Sequence, residues 1–288
     1  KYGYIYGKSY QIVREKLIPL KQQSDRMIEL YGKSLMTYGE WIVQWKKEIR
    51  KTIKISTFSD YCYKLSRYLL PHLGNTPLYQ VTSECIQEMI DHFIEERLSP
   101  NSIQIIFCLL KKTLNDAKKQ GLLYKNPCEM VQLPKRKTQK VRALTIEQQR
   151  TLLEVVDNSD DDKDQAVALA LNTGMRIGEI AALRWEDIDF NRGIISIHQT
   201  CNRIQSIGNQ RTVVNYDAVK SAASHRIIPM NHKVSKLLKR LKERNDTEFV
   251  FSIGEKGCEP RVLTYHFHQL RKEARLETVS YTHLTLPT

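Results

Sequence analysis

The chain has 288 residues, 41% hydrophobic and 27% charged, with 45 Lys/Arg against 32 Asp/Glu for a formal charge of +13. That length allows two domains and a small third; no apolar run approaches the ~20 residues of a membrane span, and no signal peptide opens the chain. The six cysteines (Cys62, Cys85, Cys108, Cys128, Cys201, Cys258) form no CxxC pair and no cluster with histidine, so they read as reduced thiols of a cytoplasmic protein that binds no metal.

The charge is uneven. Residues 1–140 hold 24 Lys/Arg against 13 Asp/Glu, and the remainder 21 against 19. A basic front half points to a polyanionic partner, most simply DNA; general basicity for solubility is the competing explanation.

In chain order, Tyr2, Tyr4, Ile5 and Tyr6 ahead of Gly7-Lys8 suggest a short strand and turn, followed by a helical start at Tyr10. A disordered, tyrosine-rich leader is the alternative. Residues 34–125 read as amphipathic helices. Residues 36–49 carry Trp41, Ile42 and Trp45; 57–70 carry Phe58, Tyr61, Leu65, Tyr68 and Leu69; 82–96 carry Ile86, Met89, Ile90 and Phe93 behind a Thr82/Ser83 cap. Ser99-Pro100 opens the last, with Ile105, Leu109, Leu110, Leu114 and Ala117, and Lys118-Lys119-Gln120-Gly121 closes it. Their apolar stripes are bundle core. The exposed faces offer Lys46, Lys47, Lys51, Lys54, Lys64, Arg67, Lys111, Lys112, Lys118 and Lys119 to phosphates. Residues 126–141 form a basic linker, with Lys135, Arg136 and Lys137 behind Pro134, which prevents helix continuation.

A second domain begins at Thr145, an N-cap with Gln148 three residues on. Residues 166–171 are apolar and run into Asn172-Thr173-Gly174, where glycine permits positive φ and turns the chain. A new helix starts at once, with Ile177, Ile180, Ala181 and Leu183 at helical spacing. Arg176 then lies in its first turn, away from the stripe, with Glu179 within i,i+3 reach. Residues 193–198 alternate as a strand, 200–217 are a polar stretch, and 219–230 close a hairpin. Another helix spans 231–244, and Phe249-Val250-Phe251 is strand-like.

The run Thr-Gly-Met-Arg-Ile-Gly-Glu-Ile-Ala-Ala-Leu-Arg-Trp-Glu-Asp-Ile-Asp (173–189) closely resembles the first arginine box of the tyrosine recombinases, the phage integrase family. Leu73-Gly74-Asn75-Thr76-Pro77-Leu78 and Tyr124-Lys125-Asn126-Pro127-Cys128 resemble that family's core-binding domain. Val219-Lys220-Ser221 through Ser224-His225-Arg226-Ile227-Ile228-Pro229-Met230 resembles its Lys-Thr-x-x-Ser-x-Arg-x-Ile-Pro-Leu hairpin, with serine where threonine is commoner. The resemblance implies an α+β protein, mainly α with a small antiparallel sheet: a helical, SAM-like core-binding domain joined to a tyrosine-recombinase catalytic domain with a three-stranded sheet. It implies site-specific cutting and rejoining of double-stranded DNA at attachment-type sites, through a 3′-phosphotyrosyl intermediate, by a homo-tetramer in the full-length protein. No metal, cofactor or membrane is implied. Arg176 would hold the scissile phosphate, Glu179 would support it, and Lys220 would be general acid toward the leaving 5′-oxygen, as guanidinium and ammonium chemistry suit.

The implied boundaries are 1–30, a remnant of an N-terminal arm-binding domain; 34–125, core-binding; 126–141, linker; and 142–278, a partial catalytic domain. The family's His-x-Leu-Arg-His-Thr box has only an imitation here in His268-Gln269-Leu270-Arg271, since Lys272-Glu273-Ala274 replaces the continuation and 265–270 fits the helix that precedes the box. Residues 279–288 are similar to the translation of a transposon-end sequencing adapter, so Tyr281 and His283 are not taken as a nucleophile and its partner. The expectation is a recombinase truncated at both ends that lacks its second box and nucleophile. A non-catalytic DNA-binding regulator or architectural protein on the same scaffold is the alternative.

Overall fold

The computed structural model describes residues 5–31, 36–135, 144–206, 211–218 and 225–276. They fall into two compact units divided between residues 138 and 139.

The first unit is helical: α1 (Tyr10–Tyr31), α2 (Tyr38–Ile49), α3 (Ile55–Lys64), α4 (Leu70–Leu73), α5 (Ser83–Glu95) and α6 (Pro100–Lys119). α1 runs through Pro19, and no strand occurs among residues 5–9; the strand expected before Tyr10 is absent there, and residues 1–4 lie outside the described ones. α2 opens on a capping box between Thr37 and Glu40, and Thr82 and Ser99 cap α5 and α6 as their sequences require. The single helix expected over 57–70 is α3 and α4 joined by a π-turn at Leu65–Leu69. Leu65, Leu69 and Leu73 recur at strict four-residue spacing, all fully buried; the widened turn takes up the drift that such spacing accumulates on a 3.6-residue helix.

Three aromatics fasten α2 to α6. The Tyr38 hydroxyl bonds Thr113 Oγ1 at 3.0 Å, Trp41 Nε1 donates to the Thr113 carbonyl at 3.0 Å, and Trp45 Nε1 donates to Asp116 Oδ2 at 2.9 Å. Burial raises the Tyr38 phenol above its ordinary value, so it stays neutral there.

The second unit holds α7 (Ile146–Asp157), α8 (Gln165–Thr173), α9 (Ile177–Ala182), α10 (His232–Arg244) and α11 (Pro260–Glu273). Its strands are β1 (Ile188–Asp189), β2 (Ile194–Ile197), β3 (Gln199–Gln205), β4 (Thr212–Ala218), β5 (Arg226–Pro229), β6 (Ser252–Ile253) and β7 (Lys256–Gly257). A three-stranded antiparallel sheet runs β1-β2-β5, with Ile197 opposite Arg226; β3-β4 and β6-β7 are separate two-stranded pairs. The polar stretch of 200–217 is therefore a hairpin, and β5 pairs with β2 instead of closing on the residues just before it. Thr212, Val213, Val214 and Tyr216 supply the β-branched and aromatic character that favours strand over loop. Gly178 lets α9 lie against β3, since a Cβ there would meet Thr200 Oγ1 at 2.5 Å and the Cys201 carbonyl at 2.9 Å.

Candidate functional site: two guanidiniums on a buried carboxylate

α8 ends at Gly174 in the left-handed conformation, φ 65°. The turn is fixed from within: Thr173 Oγ1 donates to the Leu169 carbonyl at 2.6 Å and accepts from Met175 N at 3.3 Å. Arg176 is the N-cap of α9, in extended conformation, one residue before the first turn in which its sequence had placed it.

Its partner is not a surface acid. Glu179 is 3% exposed and accepts four donors. Oε1 takes Arg176 Nη1 at 2.9 Å and Arg226 Nη1 at 3.0 Å; Oε2 takes the Arg176 backbone N–H at 2.8 Å and Arg226 Nη2 at 2.7 Å. Burial raises the Glu179 carboxyl, but the hydrogen bonds from Arg226 and Arg176 outweigh it and hold the group below its ordinary value. The same bonds raise Arg226 against the opposing effect of burial. Arg226, at the start of β5, grips the carboxylate with both terminal nitrogens and keeps 30% of its side chain exposed; Arg176 uses one nitrogen and is 72% exposed. Two cations on one buried anion leave a net positive charge and, among the described residues, N–H donors without a partner; such donors suit the oxygens of a phosphodiester.

One register step beyond Ile197–Arg226, the His198 and His225 rings lie 6.5 Å apart. Buried Asp187 accepts from the Arg184 backbone N–H at 3.0 Å, with His198 Nδ1 3.1 Å from its other oxygen, and Gln199 Nε2 is 2.8 Å from His198 Nε2. Burial raises the Asp187 carboxyl despite the Arg184 N–H and the neighbouring His198 ring.

The structure thus joins Arg176 to Glu179 and adds Arg226, which sequence reasoning quoted within the hairpin and did not assign. Its signal was the Ser-x-Arg-x-Ile-Pro spacing; its contact with a residue 47 positions earlier has no local trace. Lys220 lies outside the described residues. His268 and Arg271 lie on α11, whose buried face is Leu263, Phe267 and Leu270, and no hydrogen bond or ion pair among the described residues ties either to Glu179.

In the first unit, Lys47, Lys51, Arg67, Lys111, Lys118 and Lys135 are exposed, and Lys46, Lys64 and Lys112 are half-buried. Lys64 is ion-paired with Asp60 one turn earlier. Lys64 and Lys112 line one groove between α3 and α6, about 370 Å³ in volume, with Asp60, Ile105, Cys108 and Leu109. Lys111 and Lys118, seven apart, share a face of α6. Arg136 and Lys137 are outside the described residues. Among the described residues no group of three His, Cys, Asp or Glu is arranged to hold a metal, and no helix is long and apolar enough to cross a membrane.

Residues 142–285 match the phage integrase family, and residues 34–138 match the phage integrase SAM-like domain. The chain belongs to the phage integrase family. Among curated proteins, this integrase-family chain is 25% identical over 196 residues to the ICEBs1 integrase of Bacillus subtilis (strain 168), covering 68% of the chain and 52% of that protein. The chain spans about half the length of the curated relatives it matches. Among solved structures it resembles the Tn1549 transposon integrase in complex with a circular intermediate DNA, with a TM-score of 0.71 at 20% identity over 86% of the chain and 84% of that one. It also resembles a lambda integrase dimer bound to a COC′ core site, at TM-score 0.63 and 20% identity, over 86% and 87%. The fold is that of the tyrosine-recombinase integrases: a helical SAM-like domain and a mixed integrase domain.

Proposed function

We propose that this chain is the DNA-engaging body of a site-specific recombinase that cuts and rejoins double-stranded DNA through a 3′-phosphotyrosyl intermediate. The observation that carries the reading is the convergence of Arg176 and Arg226 on buried Glu179. Two guanidiniums whose positions are set before substrate arrives would neutralise the charge that develops on a phosphodiester under attack, without reorganising as it reacts. Glu179 acts by positioning them. Lys220, six residues before Arg226, would protonate the departing 5′-oxygen as a tyrosine oxygen displaces it at phosphorus. The exposed lysines of the first unit would hold the duplex by its backbone. Domain limits of 34–125, 126–141 and 142–278 are proposed with it, and a tetramer on paired attachment-type sites is the assembly proposed for the full-length protein.

The test is strand cleavage by a form of the protein that continues through a His-x-x-Arg-His-Thr box and a tyrosine. Arg176→Ala and Arg226→Ala should each abolish cleavage of a site-bearing duplex while leaving mobility-shift binding within a few-fold of the parent. Undiminished cleavage by either variant would refute the phosphate clamp. DNA binding without cleavage by the parent itself would favour the regulator on the same scaffold.

A further inference from the structure

α10 (His232–Arg244) concentrates charge in a way its unit does not. Residues 141–288 carry 21 Lys/Arg against 19 Asp/Glu, yet this one helix holds Lys233, Lys236, Lys239, Arg240, Lys242 and Arg244 against a single acid, Glu243. Acids gather instead at Asp157, the end of α7, and at Asp160, Asp161, Asp162 and Asp164 before α8, where Asp162 pairs with α10. Val234, Leu238 and Leu241 are buried beneath α10, so its opposite face is held rigidly toward solvent.

The cations differ in how far they are already engaged. Arg244 pairs with Asp162 at 3.3 Å, and the Lys242 ammonium lies 5.4 Å over the Phe190 ring and 6.0 Å over the Trp185 ring. Lys233, Lys236, Lys239 and Arg240 are exposed, and no ion pair among the described residues involves them. Lys239 also edges an open depression of about 470 Å³ with Phe190, Asn191, Lys242 and Glu243. The helix starts beside the turn that carries Arg176, where Asn231 Nδ2 donates to Asn172 Oδ1 at 3.4 Å. From there its 13 residues extend for about 20 Å.

We infer that α10 is a second, sequence-independent contact for the backbone of duplex DNA, separate from the Arg176–Arg226 pair; the inference rests on the DNA-acting reading above. Four unpaired cations spread over two turns of a rigid helix match a polyanion of regular charge spacing. An acidic protein segment would need its carboxylates placed to fit these four positions. Phosphate contacts of this kind fix position and carry no sequence information.

The experiment compares the 288-residue chain with Lys233→Gln/Lys236→Gln/Lys239→Gln/Arg240→Gln, and with Lys236→Gln/Arg240→Gln in case the fuller variant unfolds; circular dichroism melting reports folding. Binding to a 30-bp duplex of arbitrary sequence is measured from 50 to 200 mM salt. The fourfold variant should lower the slope of log K against log salt by about 3.6, and the double by about 1.8, since each lost phosphate contact removes ~0.9. An unchanged slope in folded variants, with the parent binding normally, overturns this inference alone. A parent that binds no duplex at 50 mM salt overturns the DNA-acting reading along with it. Loss of polyglutamate binding with an unchanged DNA slope reassigns the face to an acidic protein and also overturns the proposal.

Discussion

Replacing Glu179 by glutamine keeps shape and volume and removes the charge. The carboxylate offers two acceptor oxygens, and each receives two donors. A glutamine amide keeps one oxygen and turns an NH2 toward two N–H groups. Whichever way it is oriented, one Arg226 bond and one Arg176 bond are lost. A bond to a charged group is worth about 1.5–3 kcal/mol when buried, and Arg226 is shielded enough to count near the low end of that range. The Arg176 bond counts for less, about 1 kcal/mol, because its side chain is mostly in water and its backbone bond is a cap. The expected loss is thus about 3 kcal/mol. For a unit of this size that lowers Tm by roughly 6–12 °C, read as the melting transition of the second unit by circular dichroism. Arg176→Ala, which removes one exposed bond, should cost no more than about 1 kcal/mol.

The pH dependence fixes the sign. A carboxyl held below its ordinary value stabilises the fold above the unfolded pKa, and the contribution disappears as pH falls through the folded one. The gap between the parent and Glu179→Gln should therefore be full at neutral pH and close below about pH 4. A variant that melts within 1 °C of the parent at pH 7, or a gap that widens in acid, would refute the account of Glu179 as the charged anchor.

Other consequences are open to direct measurement. Thr113→Val leaves the buried Tyr38 hydroxyl without its partner and should cost about 1–3 kcal/mol, seen as a lower urea midpoint with an unchanged m-value. Gly178→Ala forces a methyl against Thr200 and the Cys201 carbonyl and should destabilise the second unit by about 1–3 kcal/mol, again by melting. Thiol titration of the native chain should find Cys108 fast. Cys128, pushed up to about 12 by burial, and Cys201 and Cys258, each pushed up to about 11, should stay silent until denaturant is added. Rapid labelling of all six would contradict the packing around the buried three.

The parts legible in the sequence were those written locally. Apolar spacing and the Thr82, Ser99 and Thr145 caps placed α5, α6 and α7, and Gly174 marked the end of α8, because each signal acts within a turn of the residue that carries it. α1 was less legible. Pro19 argues for a stop, yet the helix continues through it. The hairpin of β3 and β4 lacks the alternation of a half-buried pair, since most of β4 is exposed, so its polar residues looked like a loop. At the site, Arg176 and Glu179 were legible as an i,i+3 pair, but the burial of Glu179 was not. Its burial follows from Arg226, brought in by strand pairing between β2 and β5, and no periodicity around residue 179 reports a partner arriving from residue 226.

That long reach also sets an order of events during folding. The Arg176–Glu179 contact spans three residues and can form as soon as α9 does, whereas the Arg226 contact must wait for a loop of 47 residues to close. Until it closes, Glu179 has one cation beside it and no strand to cover it. A charged carboxylate that is tolerable in an open intermediate becomes costly the moment the core seals unless the second guanidinium arrives with it. Sealing the core over a charged Glu179 therefore calls for Arg226 to arrive with it, and the folded unit holds both guanidiniums on that one carboxylate.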